Sequence, residues 1–219
     1  MLDVLSNGLP EPAFVQNHLN DVPMGQTEVR LSPQFAHCTT IDEAVHDLLA
    51  SIKPGDYFAL NAFLPFTGEG RREALEAIRH DVAEKCGVVS CLEVGPRYLH
   101  STGQLQKGGP NTGVYLILSA DELKDISIEG CPAATLGTLA EAQAIGDLMT
   151  LTERGRRCVH LHLPDHSSIT LRCLADVVEK SLFEIAAQRA AEIIAGNAQA
   201  AGEPEVAPAH AAEQVASAE

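Results

Sequence analysis

The sequence predicts an α/β fold built on a parallel β-sheet. From residue 39 onwards, short apolar runs alternate with longer segments in which apolar residues recur at helical spacing. The short runs lack the polar alternation of a half-exposed strand, so they suit strands that are buried on both faces. Strands of this kind that alternate with helices are typical of βαβ units, which place their strands in a parallel sheet.

The composition indicates a globular protein with an aliphatic core. Of the 219 residues, 45% are hydrophobic, whereas only 4% are aromatic and none is tryptophan. The net charge of −15 would repel a polyanion, so we expect neither nucleic acid nor an anionic membrane surface as a partner. No apolar run approaches the about 20 residues of a membrane span, and the N-terminal residues lack the features of a signal peptide. We therefore expect a cytoplasmic protein.

Six cysteines are scattered along the chain without a C-x-x-C pair. In a reducing compartment this distribution predicts free thiols that behave as small buried hydrophobic side chains. The six are Cys38, Cys86, Cys91, Cys131, Cys158 and Cys173.

The first 35 residues are rich in proline and show little periodicity. We predict that residues 1–35 form an extended arm with a short strand at 27–31, and that folding does not require this arm. The tail, residues 198–219, contains alanine and glutamate but too few large apolar groups to offset chain entropy, so it is predicted to be disordered. The α/β domain is predicted to cover residues 36–197.

Turn and cap signals set the bounds of the elements in this domain. Thr39 or Thr40 can cap the first helix, with Glu43 placed to complete a capping box, and Gly87 is suited to end the second. A loop is predicted at 119–134. The predicted helices cover 41–52, 69–85, 138–154 and 168–194. The predicted strands cover 57–64, 88–94, 114–118 and 158–163.

The densest cluster of polar groups lies in residues 95–113, GPRYLHSTGQLQKGGPNTG. It follows a predicted strand, where ligand sites of α/β sheets occur. Arg97 and Lys107 could neutralise a phosphate, His100 could transfer a proton near neutral pH, and glycines allow close approach to a ligand. From composition alone, a solvated glycine-rich loop explains the segment as well as a site does.

This segment strongly resembles the C-terminal sugar-isomerase part of the bacterial transaldolase/glucose-6-phosphate isomerase fusion proteins. Further matches lie in register at residues 53–64, 135–148 and 155–163. The resemblance implies a doubly wound, three-layer α/β sandwich with helices on both faces of a mainly parallel sheet. It also implies a phosphosugar substrate, such as glucose 6-phosphate or fructose 6-phosphate.

The resemblance also implies roles for individual residues. The motif LHSTGQ matches a segment of ordinary glucose-6-phosphate isomerases whose histidine is the acid/base of ring opening, and this role falls on His100. Imidazole suits a proton transfer between the ring oxygen and the anomeric hydroxyl at neutral pH. No metal and no cofactor are expected. The residues predicted to bind substrate are Arg97, Ser101, Thr102, Gly103, Gln104, Lys107 and Gln143.

Three departures from the family pattern bear on activity. Gln106 stands where the fusion family usually has histidine, and an amide cannot relay a proton at neutral pH. The first sugar-binding domain, with its phosphate loop and proton-shuttling glutamate, has no counterpart upstream. A (β/α)₈ transaldolase barrel does not fit into 219 residues beside this domain.

Two hypotheses follow from these departures. In the first, the chain interconverts an aldose and a ketose phosphate only with a partner chain that supplies the missing half-site. In the second, it is a non-catalytic protein that binds sugar phosphate, or that assembles with transaldolase or another enzyme of the pentose phosphate pathway.

A histidine-rich strand, HLHLPDH, raises the question of a metal site. His160 and His162 would lie on one face of a strand, with His166 beyond its end. No cysteine and no carboxylate other than Asp165 completes an evident ligand set nearby, so we expect these histidines to be structural.

Two further clusters admit two interpretations each. Gln143 and Asp147 lie one turn apart on a predicted helix, either as part of the sugar site or as a surface pair, which we favour. The isomerases' C-terminal lysine is missing, since Thr150 stands at its position. The basic residues Arg154 and 156–157 could cap the C-terminus of that helix or bind phosphate, and capping is the interpretation that we favour.

Overall fold

The computed structural model describes residues 15–21, 25–65, 68, 70–121 and 124–202. The chain divides into two compact units, residues 1–185 and 186–219. The first unit contains every strand and all helices up to the first half of the last one. The described part of the second unit is helical throughout.

The described residues of the first unit form eight strands. They are β1 Val15–Asp21, β2 Gly25–Leu31, β3 Tyr57–Phe63, β4 Val89–Val94, β5 Gly113–Ala120, β6 Ser127–Ile128, β7 Cys131–Thr135 and β8 Arg157–Leu163. Six of them form one sheet in the order β1-β2-β8-β5-β3-β4, while β6 and β7 form a separate antiparallel pair. Within the large sheet, β8, β5, β3 and β4 are mutually parallel, whereas β1 and β2 form an antiparallel hairpin at one edge.

Five α-helices accompany the strands in the described part of the chain. They are α1 Ile41–Ala50, α2 Arg71–Cys86, α3 Thr102–Gly108, α4 Leu136–Glu153 and α5 Ser168–Gly202. Two short 3-10 turns, Pro33–Phe35 and Arg97–His100, precede α1 and α3. No helix among these described residues has both the length and the apolar character that a membrane crossing requires.

Helices cover both faces of the sheet. On one face, buried aliphatic residues of α1, α2 and the first part of α5 pack against alternate strand residues such as Leu60 and Leu116. On the opposite face, Ile145 and Leu148 of α4 pack against Tyr115 and neighbouring strand residues. The three-layer α/β architecture and the aliphatic core are therefore as the sequence predicts.

The strand order reverses direction between β3 and β5. The chain leaves β3, crosses by α2 on the first face and enters β4, then returns over β3 by α3 on the second face to reach β5. In doubly wound sheets, ligands bind beyond the carboxyl ends of the strands that flank such a reversal. The residues that follow β3, β4 and β5 are therefore the place to look for a site.

The predicted cap signals are present in the structure. Thr40 and Glu43 form a complete capping box at the start of α1, and Gly87 ends α2 in the left-handed conformation, at φ 65°. Thr135 and Thr138 form a second capping box, so α4 begins at Leu136, two residues before the predicted start.

The predicted boundary between an arm and a domain at residue 35 is wrong. The strand expected at 27–31 exists as β2, but it is an integral part of the large sheet, paired with β8. Val29 and Leu31 are fully buried in the core, and the hairpin belongs to the same unit as the remaining strands. The proline content of residues 1–35 favoured an arm, but the prolines of this region lie outside β1 and β2 and leave both strands free to pair.

Three other boundaries differ from the prediction. The loop expected at 119–134 contains the end of β5 and the β6–β7 pair. The glycine-rich segment 95–113 contains α3. The last helix continues to Gly202, so residues 198–202 are helical, and the rest of the predicted disordered tail lies outside the described residues.

All six cysteines are free thiols, as predicted. Their burial varies more than expected, because Cys131 in β7 is exposed while Cys38 and Cys158 are buried.

Candidate functional site

The segment 95–113 begins at the carboxyl end of β4 and crosses the second face of the sheet. Gly95 N–H donates to the carbonyl of Ala62 at 2.8 Å, which places the start of the segment beside the end of β3. A Cβ at Gly95 would lie 2.5 Å from the ring of Phe63, so this close approach requires glycine. The Tyr98 ring then packs edge-on against Phe63, with 5.7 Å between ring centroids.

A buried carboxylate on α4 fixes the segment from the other side. Asp147 lies wholly inside the protein, where Tyr98 Oη donates to its Oδ2 at 2.6 Å and Lys107 Nζ lies 2.5 Å from its Oδ1. Burial, together with the adjacent Asp147 charge, raises the pKa of Tyr98 far above its ordinary value, so the phenol remains a donor. Lys107 is therefore committed to an internal ion pair rather than presented to a phosphate.

The surroundings of Asp147 show that the expected surface pair with Gln143 does not form. Gln143 and Asp147 were expected to form a surface pair, but Asp147 is buried and faces the 95–113 segment, whereas Gln143, one turn earlier, is half-buried. Gln143 makes no side-chain hydrogen bond within the part of the chain that the structure describes, so its amide is available to a ligand.

An amide pair joins α3 to the centre of the sheet. Asn61 Nδ2 donates to Gln106 Oε1 at 2.9 Å, and Gln106 Nε2 donates to Asn61 Oδ1 at 3.3 Å. Tyr115 Oη donates to the Gln106 carbonyl at 3.3 Å and, its one proton being used, accepts from Tyr57 Oη at 2.6 Å. Gln106 thus has a structural task in this chain, with both sides of its amide satisfied by Asn61.

The basic cluster that follows α4 caps other helices. Arg156 Nη2 donates to the carbonyls of Lys107 and Gly109, at 3.0 and 2.6 Å, at the C-terminus of α3. Arg157 Nη1 donates to the carbonyl of Ser51, the C-cap of α1, at 2.6 Å and to Asp56 at 2.8 Å. The prediction that these two arginines cap α4 is therefore wrong, since their side chains cap α3 and α1 instead.

The remaining predicted site residues lie on the exposed side of the same segment. Ser101 Oγ donates to the carbonyl of Tyr98, and Gln104 Nε2 donates to the carbonyl of Leu99. Gly103 packs its Cα against Tyr98, where a Cβ would approach the carbonyl to 3.0 Å. The exposed members of the set are Arg97, His100, Ser101, Thr102 and Gln104.

Arg97 and His100 differ from Lys107, the third basic side chain of the segment, in their lack of internal partners. Both side chains are exposed, and neither forms a hydrogen bond or ion pair with any residue that the structure describes. They lie on the 3-10 turn that follows β4. Tyr98 of the same turn anchors it through the hydrogen bond to the buried Asp147. The segment therefore presents one cation and one imidazole at the carboxyl edge of the sheet, from a base fixed by buried polar contacts.

A second polar cluster lies beneath α4 at the ends of β5 and β8. Its centre is Ser119, whose Oγ lies 2.8 Å from His160 Nε2 and 2.8 Å from His162 Nδ1. Arg30 Nη1 donates to His160 Nδ1 at 3.2 Å, and His162 Nε2 lies 3.2 Å from Asp121 Oδ1. As the sequence predicts, both histidines point to the same face of β8.

The protons of this cluster can be arranged in one consistent direction. Because Arg30 can only donate, His160 Nδ1 accepts, and His160 donates from Nε2 to the Ser119 oxygen. Ser119 then donates its own proton to His162 Nδ1, and His162 donates from Nε2 to the Asp121 carboxylate. The cluster is thus a hydrogen-bonded chain that leads from the buried Arg30 to the exposed Asp121.

The His160 environment disfavours a metal ion on this strand. Both ring nitrogens of His160 already have partners, and the nearest charge is the Arg30 guanidinium. Burial lowers the pKa of His160 well below its ordinary value, and the charges of Arg30 and His162 lower it further. The imidazole is therefore neutral in the folded protein, in keeping with a structural role.

We predict a measurable effect of His160 on acid stability. Below about pH 6.5 the unfolded chain protonates this imidazole while the folded protein does not. The free energy of unfolding therefore decreases as the pH is lowered. One such group contributes up to about 1.4 kcal/mol per pH unit. In urea unfolding, the free energy of unfolding of His160→Gln should decrease less between pH 7 and pH 5 than that of the parent protein. His80→Gln, at an exposed histidine, should retain the parent's slope, and equal slopes for all three proteins would contradict the assignment.

Only part of this second cluster is predictable from the sequence. The alternation in HLHL correctly placed His160 and His162 on one face, but no local signal links them to Ser119 or to Arg30, which is 130 residues away. The pairing of β2 with β8 brings Arg30 into position, and β2 lies in the region expected to be an arm.

Comparisons with known proteins support the fold. No protein-family model matches the chain, and no curated protein matches it. The solved structure of the hypothetical protein TT0462 from Thermus thermophilus is similar, with a TM-score of 0.53 and 19% sequence identity. The match covers 68% of this chain and 41% of that chain, so this chain spans less than half of that protein's length.

Proposed function

We propose that this chain is a phosphosugar domain of the glucose-6-phosphate isomerase type, which isomerises an aldose and a ketose phosphate together with a partner chain. The observation that carries the proposal is the exposed pair Arg97 and His100 at the carboxyl end of β4. Of the three Arg, Lys and His side chains in residues 95–113, only Lys107 is held inside the protein. The other two are the groups that a phosphorylated sugar requires, a cation and a proton-transfer group.

Each residue has a defined task in this proposal. His100 transfers a proton between the ring oxygen and the anomeric hydroxyl, which opens the sugar ring. Arg97 contributes to phosphate binding, and Gln143 offers an amide to sugar hydroxyls. Lys107 is a positioning residue, since it acts through Asp147 and Tyr98 to hold the segment in place.

The proposal includes a partner chain because residues 95–113 contain no carboxylate of their own. Transfer of a proton between C1 and C2 of the sugar needs a base with a carboxylate-like pKa, and Asp147 is enclosed by Tyr98 and Lys107. The partner would supply this base and the remaining phosphate contacts.

The absence of a carboxylate from the segment also favours a second candidate function. A chain that binds a sugar phosphate without a base of its own would be a non-catalytic binding or assembly protein associated with transaldolase. The two candidates differ in one measurable property, which is turnover in the presence of a partner.

The test combines binding and turnover. In NMR spectra of the full chain, glucose 6-phosphate should shift His100 and the amides of residues 101–109, with a Kd near 1 mM, or roughly 4 kcal/mol, as expected for half a site. Arg97→Ala should weaken binding at least about tenfold, since a charge-assisted contact contributes roughly 1.5–3 kcal/mol. His100→Ala should retain most of the affinity. His80→Ala, at another exposed histidine, is the matched control and should change neither quantity.

Turnover separates the two candidates. A coupled isomerase assay should detect activity only when the chain is paired with a chain that carries the missing sugar-binding domain, and His100→Ala should abolish it. Sugar-phosphate binding without turnover in any pairing would reject the isomerase and favour the non-catalytic binding protein. Neither binding nor turnover would reject both candidates, and turnover that survives His100→Ala would reject the role of this histidine.

A further inference from the structure

Three side chains with metal-binding atoms converge at the start of α1, far in sequence from the segment 95–113. His37 and Cys38 lie in the turn before the helix, and Asp47 lies within it. The Cys38 Sγ atom is 3.8 Å from His37 Nε2 and 3.7 Å from Asp47 Oδ2, and the latter two atoms are 2.7 Å apart. One point in space is therefore surrounded by a sulfur, a nitrogen and a carboxylate oxygen.

Glu43, which completes the capping box of α1, also fixes the turn that precedes this helix. Glu43 Oε2 accepts hydrogen bonds from Thr39 N at 2.7 Å and Thr39 Oγ1 at 2.9 Å, which folds the chain back along the first turn of the helix. Asp47 lies one turn after Glu43 on the same side, so the two residues before Thr39 come to lie beside it. The local fold thus brings all three ligand atoms together at the start of α1.

The set of donors and their spacing suit zinc. A thiolate, an imidazole and a carboxylate are ligands that Zn²⁺ accepts together, whereas Mg²⁺ and Ca²⁺ prefer oxygen alone. Tetrahedral bonds of about 2.0–2.3 Å place neighbouring ligand atoms roughly 3.3–3.7 Å apart. The two distances to sulfur are already close to this range. The Nε2–Oδ2 distance must open by roughly 0.6 Å, which His37 permits because its side chain is 67% exposed.

A second histidine supports the carboxylate from behind. His46 Nδ1 donates to Asp47 Oδ1 at 3.0 Å, which leaves Oδ2 directed at the other two ligands. Metal-binding carboxylates are commonly oriented by such outer hydrogen bonds. The acidic side chain of Glu43 adds negative charge near the same point.

A nucleophilic role for Cys38 does not fit this geometry. The thiol and the Asp47 oxygen both face the same nitrogen of His37, so the imidazole cannot link a carboxylate at one nitrogen to a thiol at the other, as a catalytic triad requires. Burial, with a smaller effect of Asp47, raises the pKa of Cys38 to about 11, so the thiol is protonated in the free protein.

We propose that His37, Cys38 and Asp47 bind one Zn²⁺ ion through Nε2, Sγ and Oδ2, with water as the fourth ligand. Binding releases the Cys38 proton to solvent and moves the His37 proton from Nε2 to Nδ1. The two ligand charges then balance the ion, and the resulting centre is neutral. This site is independent of the proposed sugar-phosphate function.

Cobalt titration of the full-length, metal-free chain tests this site. Co²⁺ should bind with a stoichiometry of one and give a thiolate-to-cobalt charge-transfer band together with the intense visible bands of tetrahedral Co²⁺, and Zn²⁺ should displace it. Cys38→Ser should remove the charge-transfer band. His37→Ala, at an exposed position, should weaken binding more than the about 10–100-fold that loss of an outer-shell partner costs. His46→Ala, which removes such a partner, should fall within that range.

The control variant is Cys131→Ser, which removes an exposed thiol from β7 and should leave the spectrum unchanged. A charge-transfer band that persists in Cys38→Ser would overturn the proposal, as would cobalt affinity unchanged in His37→Ala. Absence of any tetrahedral cobalt spectrum from the folded parent protein would overturn it as well.

Discussion

A chain that begins at Ser32 is expected to lose cooperative folding. Without β2, Val29 and Leu31 no longer fill the core, and burial of two such side chains contributes about 3–6 kcal/mol. The truncation also removes Arg30 from His160 and leaves β8 as an unpaired edge. The combined loss is comparable to the whole stability of an ordinary domain, about 5–15 kcal/mol. Circular dichroism during urea unfolding should therefore show no sigmoidal transition.

A single substitution separates the role of β2 from that of the residues before it. Val29→Asp in the full-length chain places a charge in the aliphatic core and should also abolish the transition. Val89→Asp is the matched control, because Val89 lies on the edge strand β4 and is 76% exposed, so its unfolding midpoint should scarcely move. A sigmoidal transition with the parent's midpoint in the truncated chain would show that β2 is an accessory strand after all.

The elements that were predictable from the sequence are those whose signal is local. Periodicity predicted the four parallel strands and the four long helices, and capping residues predicted several of their ends. The helix α3 was missed because Gly103, Gly108 and Gly109 disfavour helix intrinsically. Tertiary contacts stabilise it instead, through the Gln106 amide pair with Asn61. The strand β2 was predicted, but β1 and the place of β2 in the large sheet were not, because that place depends on pairing with β8.

In the candidate site, too, the features that depend on neighbouring residues were predictable, whereas those that depend on residues distant in sequence were not. The motif around His100 was visible in the sequence, and so was its place after a strand. The ion pair of Lys107 could not be predicted from the sequence. Its partner Asp147 lies 40 positions further along, where the sequence pattern indicates a surface position on an amphipathic helix. Sequence can identify which residues are able to bind phosphate, but packing determines which of them remain free to do so.

Replacement of Asp147 by alanine is expected to lower the free energy of unfolding by about 3–5 kcal/mol. Removal of one partner from a buried ion pair leaves the other charge without compensation, and here the Lys107 ammonium and the Tyr98 hydroxyl both lose their acceptor. The measurement is urea unfolding at pH 7. The surface pair formed by Asp42 and Lys180 provides the control: its atoms are 2.6 Å apart, but both side chains are exposed, so Asp42→Ala should cost at most about 1 kcal/mol.

A double variant distinguishes loss of the ion pair from loss of packing. If the cost of Asp147→Ala is the uncompensated Lys107 charge, the double variant Asp147→Leu with Lys107→Met should recover most of the stability, because apolar residues of similar size replace both charges. The double variant should still lose the hydrogen bond from Tyr98, which orients the turn that carries His100. Sugar-phosphate binding should therefore remain weakened after stability has returned. Recovery of both properties together would show that Tyr98 packing alone, through its contact with Phe63, positions the turn.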